Sequence, residues 1–192
     1  MSDKVLLRKE KIAWRNALEP HKVKEYSHQI IRNVLNFFDI RPTHYIHLFF
    51  SIVQKNEVQT MPLFEKLTQI VPVEHCFTSF IDYATNTLHH TQISKECTWQ
   101  TDRYGIPVPH PLIPVPNPKL DLIFVPLVAF NTNNHRIGYG KGYYDKFLKE
   151  YPQATTIGLA FEGQKAEFEP EKHDIPLKYI VTEQCIYFKG KK

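Results

Sequence analysis

Cysteine is scarce in this chain. Cys76, Cys97 and Cys185 are an odd number without CxxC spacing, which excludes a disulfide framework and a zinc knuckle. Ten histidines include no HExxH or His-x-His, so a structural zinc site is not expected either. Long apolar runs are missing: the longest falls well short of the roughly 20 residues of a membrane span. The start, MSDKVLLRKEK, has no apolar core of signal-peptide length, so a cytoplasmic protein without a membrane partner is expected. A dominant charge is lacking too. Lys and Arg outnumber Asp and Glu by 24 to 20, a net +4 that gives no case for nucleic acid. Lys189, Lys191 and Lys192 form only a small basic tail, and no aromatic RNA-binding module accompanies it. Glycine is sparse, seven in 192 residues, yet three of the seven fall in one five-residue stretch.

With 42% apolar and 23% charged residues, the chain has the balance of a globular protein with a sizeable core, expected as one domain over residues 1–192 and as a monomer. Helix formers predict a helix over 4–19, ended by Pro20, with Lys4, Arg8 and Arg15 on one face. Val23, Tyr26, Ile30, Val34 and Phe37 predict a second helix over 21–38 with one buried stripe. Short aromatic or β-branched runs predict strands at 45–50, 70–73, 86–93, 155–160, 179–182 and 185–188, with a short helix at 62–69. The six prolines between Gly105 and Pro118 predict an extended wrapping loop without an element. Alternation of strands and helices after two opening helices points to an α/β fold, a three-layer α/β/α sandwich with a mostly parallel central sheet.

The segment Asn131–Leu148, NTNNHRIGYGKGYYDKFL, follows the apolar run LDLIFVPLVAF, read as a buried strand. A loop leaving the carboxyl end of such a strand and entering a helix is where open α/β sheets hold ligands. Gly138, Gly140 and Gly142 let backbone N–H groups converge on an anion, and the following helix adds its positive end. Arg136 and Lys141 supply full charges, a fork and a point charge. The stretch is not a Walker A loop, since no serine or threonine follows GKG, and it lacks GxGxxG spacing. Asp145 falls in the first helical turn, either as a simple N-terminal acid or as a ligand holding Mg²⁺ against phosphate oxygens. Tyr139, Tyr143 and Tyr144 serve either as core aromatics or as a stacking wall.

This long, ordered run resembles the signature region of the 5-formyltetrahydrofolate cyclo-ligase family, also called 5,10-methenyltetrahydrofolate synthetase. Other matches follow in order: Lys4 with Leu7-Arg8, Arg15-Asn16-Ala17-Leu18, Glu57-Val58-Gln59-Thr60, Tyr104 to Pro109, His173-Asp174-Ile175-Pro176 and Ile180-Val181-Thr182-Glu183. The chain departs from the family pattern at Gln59, at Val108 and at Pro20-His21.

The resemblance implies the family's α/β/α sandwich and an ATP- and Mg²⁺-dependent closure of 5-formyltetrahydrofolate to 5,10-methenyltetrahydrofolate. It implies Arg136 and Lys141 as catalytic cations. ATP is expected at Lys4, Arg8, Arg136, Gly138, Tyr139, Gly140, Lys141, Gly142, Tyr143 and Tyr144. Folate is expected at Arg8, Phe50, Glu57, Tyr139, Gly140, Lys141, Gly142 and Tyr143, and Mg²⁺ at Asp145 and Asp174. His173 receives no role. A binding homologue impaired in catalysis, or a related small-molecule phosphotransferase, stands as the alternative.

Overall fold

A computed structural model describes residues 3–171 and 174–188; His173 and the lysines at 189, 191 and 192 lie outside the described residues. The first helix, α1 (Asp3–Asn16), stops short of the expected end. Pro20 opens α2 (Pro20–Phe37) instead of closing α1, because a proline in a first helical turn gives up an N–H that has no intrahelical partner anyway. The buried face of α2 is Val23, Ser27, Ile30, Ile31 and Val34. Tyr26 is only partly covered and Phe37 is 46% exposed, so the stripe is narrower than the spacing predicts.

The short strand β1 (Ile46–His47) is the ordered part of the aromatic run at 45–50, and α3 (Met61–Leu67) follows it. The strand expected at 70–73 does not form. Val71 N–H still bonds Leu67 O at 2.8 Å, Pro72 donates nothing, and a 3-10 turn at Val73–His75 leads into the strand β2 (Cys76–Asp82). β3 (Thr87–Gln92) returns antiparallel to it. The proline-rich stretch is not the expected structureless loop: β5 (Pro107–His110) pairs antiparallel with β4 (Thr98–Thr101) as a separate ribbon. Pro107 and Pro109 alternate, so their missing donors fall on one side, and Val108 and His110 keep theirs.

The apolar run at 120–130 divides into β6 (Leu122–Pro126) and β7 (Ala129–Phe130), and β7 forms a hairpin with β8 (Arg136–Ile137). The glycine loop therefore leaves a hairpin, where a central strand was expected, before entering α4 (Tyr143–Glu150). β9 (Thr155–Leu159), β10 (Tyr179–Val181) and β11 (Ile186–Phe188) complete the fold.

The main sheet has the order β11-β10-β9-β6-β1-β2-β3. Its central pairs are parallel, and only the edge pairs β10/β11 and β2/β3 are antiparallel. Successive residues point to opposite faces. Ile46, Leu122, Phe124, Ile157 and Val181 enter the core under α2 and α3, whereas Phe77, Ile123, Val125 and Ile180 pack with Phe147 and Leu148 of α4. Covering both faces requires the near-continuous apolar strands that the sequence carries. The result is the expected α/β architecture, with a mostly parallel sheet flanked by helices. No described helix is long and apolar enough to cross a membrane.

Candidate active site

Chain order reverses around β1, which lies between β6 and β2. A crevice beyond the carboxyl ends of the strands is expected at such a switch point. A cavity of about 580 Å³ opens there. Phe49 and Phe50 after β1, Ser79 and Phe80 of β2, and Pro126 at the end of β6 contribute to its wall. Every residue expected to bind ATP, folate or metal lines this one cavity: Lys4, Arg8, Phe50, Glu57, Arg136, the run from Gly138 to Asp145, and Asp174.

α1 brings Lys4, Arg8 and Arg15 to the site from a single face, because steps of four and seven residues return to the same side of a helix. Arg8 Nε donates to Gly138 O at 2.8 Å, clamping the glycine loop. Gly140 (φ 92°) and Gly142 (φ 69°) occupy the left-handed region, so the expected positive φ holds for two of the three glycines. No side chain caps the start of α4, where Gly142 is the N-cap. Its first N–H groups and the positive helix end are therefore open to an anionic ligand. Lys141 is exposed at the rim, with no hydrogen bond or ion pair to another described residue.

Arg136 is buried, and its Nη2 donates to Asp145 Oδ1 at 2.7 Å while Nη1 donates to Ile175 O at 2.9 Å. Burial pulls its pKa down; Asp145 and then Asp174 oppose that shift, and an arginine remains charged. Lys4 Nζ contacts Asp174 Oδ2 at 2.5 Å, and Glu171 N–H donates to the same oxygen at 2.8 Å. The two carboxylates expected to hold Mg²⁺ thus border one guanidinium and one cavity. Among the described residues no group of three or more His, Cys, Asp or Glu gathers for a metal. Two hard carboxylates still fit magnesium, which takes one or two of them together with phosphate oxygens and water.

Glu57 is buried, although its place in a loop suggests exposure. Its Oε2 accepts Ile52 N–H at 2.7 Å and its Oε1 accepts the Tyr139 hydroxyl at 2.5 Å. Arg15, 2% exposed, donates from Nε to Lys55 O at 2.8 Å and from Nη2 to the Tyr139 hydroxyl at 2.5 Å. Its Nη2 lies 3.8 Å from Glu57 Oε1. Removing one partner of such a buried pair costs about 3–5 kcal/mol. Burial and then Glu57 raise the Tyr139 pKa, and Arg15 opposes them, so the phenol stays protonated.

The three tyrosines take different places. Tyr139 bridges the two charges. Tyr143 OH reaches Asn86 Oδ1 at 2.5 Å, tying the loop to the turn between β2 and β3. Tyr144, in the first turn of α4, lines the cavity but also packs inward, with ring centroids 5.8 Å from Phe147 and 6.5 Å from His47. Phe50 shows one surface to the cavity and is otherwise core, 4.4 Å from the Trp99 ring. The sequence reading missed Arg15, Lys55 and Asn86 as members of this site. Only Arg15 had a usable signal, its helical spacing from Lys4 and Arg8.

The comparisons bear on the family and the fold. A profile of the 5-formyltetrahydrofolate cyclo-ligase family matches residues 1–183. A 5-formyltetrahydrofolate cyclo-ligase of Mycoplasma genitalium is 32% identical over 182 residues, covering 94% of this chain and 98% of the relative. The cyclo-ligase of Escherichia coli K12 is 29% identical, covering 90% and 96%. Among solved structures, a 5,10-methenyltetrahydrofolate synthetase from Mycoplasma pneumoniae superposes with a TM-score of 0.73 at 28% identity, covering 95% of this chain and 99% of that one. The synthetase of Aquifex aeolicus gives 0.79 at 26% identity, covering 98% and 95%.

Proposed function

Since the chain belongs to the 5-formyltetrahydrofolate cyclo-ligase family, we propose that it closes 5-formyltetrahydrofolate to 5,10-methenyltetrahydrofolate at the expense of ATP, releasing ADP and phosphate. The observation that carries this reading is one cavity with two unlike sets of lining residues. The cationic glycine loop with Lys4, Arg8 and Arg136 is one, and Phe49, Phe50, Ile52 and the Glu57 carboxylate are the other.

The formyl oxygen is a poor leaving group, and transfer of the γ-phosphoryl of ATP makes it a good one. N10 of the same folate then attacks the activated carbon, loses its proton and expels phosphate. Closure within one bound molecule gains strongly from proximity. Phosphoryl transfer asks a protein for positioning and charge neutralisation. Arg136, Lys141 and the loop N–H groups supply both at the transferred group, and Lys4 and Arg8 steady the phosphates from α1. Asp145 and Asp174 would hold Mg²⁺, which when bound screens the phosphate charges.

Phe50, Tyr139 and Tyr143 offer a planar substrate its walls. Each oxygen of Glu57 has one protein donor of its own, from Tyr139 and from Ile52. A carboxylate oxygen accepts two. One acceptor position on each oxygen thus suits a parallel pair of ligand N–H groups, such as the amino-pyrimidinone edge of a pterin. We take residues 1–192 as one domain working as a monomer, since α1, the sheet and the glycine loop all contribute to a single cavity. The test is purified protein with 5-formyltetrahydrofolate and Mg-ATP. Near-ultraviolet absorbance of the methenyl product should rise with one ADP formed per folate; no turnover would overturn the proposal.

A further inference from the structure

The buried cation behind the folate wall is not among the residues assigned to ATP, folate or metal. Arg15 sits on the last turn of α1 and is the only arginine or lysine among the described residues that forms an ion pair with Glu57. Its three donor nitrogens have fixed targets: Lys55 O at 2.8 Å, Leu127 O at 3.4 Å and the Tyr139 hydroxyl at 2.5 Å. The acceptors belong to three separate segments: the loop before α3, the end of β6 and the glycine loop. Asn56 Nδ2 closes the arrangement by donating to Arg15 O at 3.1 Å. Lys55 also meets Tyr139, but its Nζ lies over the ring face, 4.5 Å from the centroid, and it forms no ion pair with Glu57.

Glu57 is 5% exposed. Its two oxygens can offer a parallel pair of acceptor positions only while the carboxylate is held in one orientation. Resting on the folate reading above, we propose that Arg15 is a positioning and specificity residue. It holds the Glu57 carboxylate in place through Tyr139, so that the wall selects a substrate edge bearing two parallel donors. Arg15 touches neither substrate nor phosphate. Its effect belongs in the folate KM and in the choice of folate, and only weakly in kcat.

The experiment compares 5-formyltetrahydrofolate with its 2-desamino analogue, which lacks one donor, in wild type, Arg15→Met and Arg15→Lys, with saturating Mg-ATP. Wild-type turnover of the authentic substrate is checked first, and its failure would count against the folate reading alone. With turnover present, loss of a hydrogen bond to a charged acceptor should raise the wild-type KM roughly 10- to 100-fold for the analogue. Arg15→Met should bring the ratio of the two KM values to within about threefold of unity, and Arg15→Lys should keep the wild-type ratio. The inference is overturned if Arg15→Met raises both KM values alike, lowers only kcat, or if Arg15→Lys loses the ratio as completely. Should Arg15→Met not fold, Arg15→Met/Glu57→Gln removes the stranded charge and should fold without discrimination. If the double variant also fails to fold, Arg15 serves the fold alone and the inference falls.

Discussion

Lys141 differs from Lys4, Arg8 and Arg136 in what its charge touches. Lys4, Arg8 and Arg136 each have a protein acceptor, while Lys141 has none among the described residues and sits exposed on the loop. Its removal therefore disturbs little of the fold. Lys141→Ala should lower kcat about 100- to 1,000-fold, the usual loss when a transition-state donor is deleted, while Tm stays at the wild-type value. The absorbance assay and a thermal melt check the two halves. Asp145 gives the opposite pattern, since its carboxylate also compensates the buried Arg136. Asp145→Asn should lower stability by about 1–3 kcal/mol as well as shift the Mg²⁺ dependence to higher concentration; urea denaturation and a magnesium titration read these separately. At this scale the sequence was most legible where residue type alone carries the chemistry, as in the run from Arg136 to Asp145. Arg15 shared a helix face with Lys4 and Arg8, but its burial was not legible, because burial is decided by what packs over a side chain.

Elements formed by local rules were legible, and those formed by distant partners were not. α4 begins and ends where glycines and an amphipathic pattern place it. β5 was hidden because six prolines read as a break, yet alternate prolines leave one side of a strand able to pair. α1 shows what a distant partner adds. Its Trp14 packs on the 3-10 turn Glu162–Gln164, where a Cβ added to Gly163 would lie 2.1 Å from the indole. Lys11 Nζ donates to Gly163 O at 3.2 Å across the same contact. Gly163→Ala must push the helix outward, at about 1–3 kcal/mol for overpacking. Because Lys4 and Arg8 ride on that helix, the KM for ATP should rise although the substitution lies outside the cavity wall. A variant that loses stability but keeps its ATP KM would show that α1 does not transmit the displacement.

At the scale of the whole molecule, two buried histidines tie stability to pH. His47 on β1 is fully buried, with Nε2 2.7 Å from Ser79 Oγ, and His90 on β3 is 3.3 Å from the same oxygen. Ser79, Tyr144 and Phe147 surround the pair, with no carboxylate among them. Burial lowers the pKa of both: His47 well below its ordinary value and His90 to about 4. The unfolded chain, with histidine near 6.5, binds protons first as the pH falls. Stability from this pair is therefore complete above about pH 6.5 and drains as the pH drops toward 4, by up to about 1.4 kcal/mol per unit per histidine. Thermal melts from pH 7 to 5 should show the fall, and His90→Gln should reduce it; equal slopes would contradict this. A different consequence follows from the bond between Lys4 and Asp174, which are 170 positions apart. On the ribosome, Lys4 is made 170 positions before its acceptor. A nascent chain cut short before residue 174 has the glycine loop but lacks the carboxylate that Lys4 holds, so that part of the cavity lining is added only after the loop.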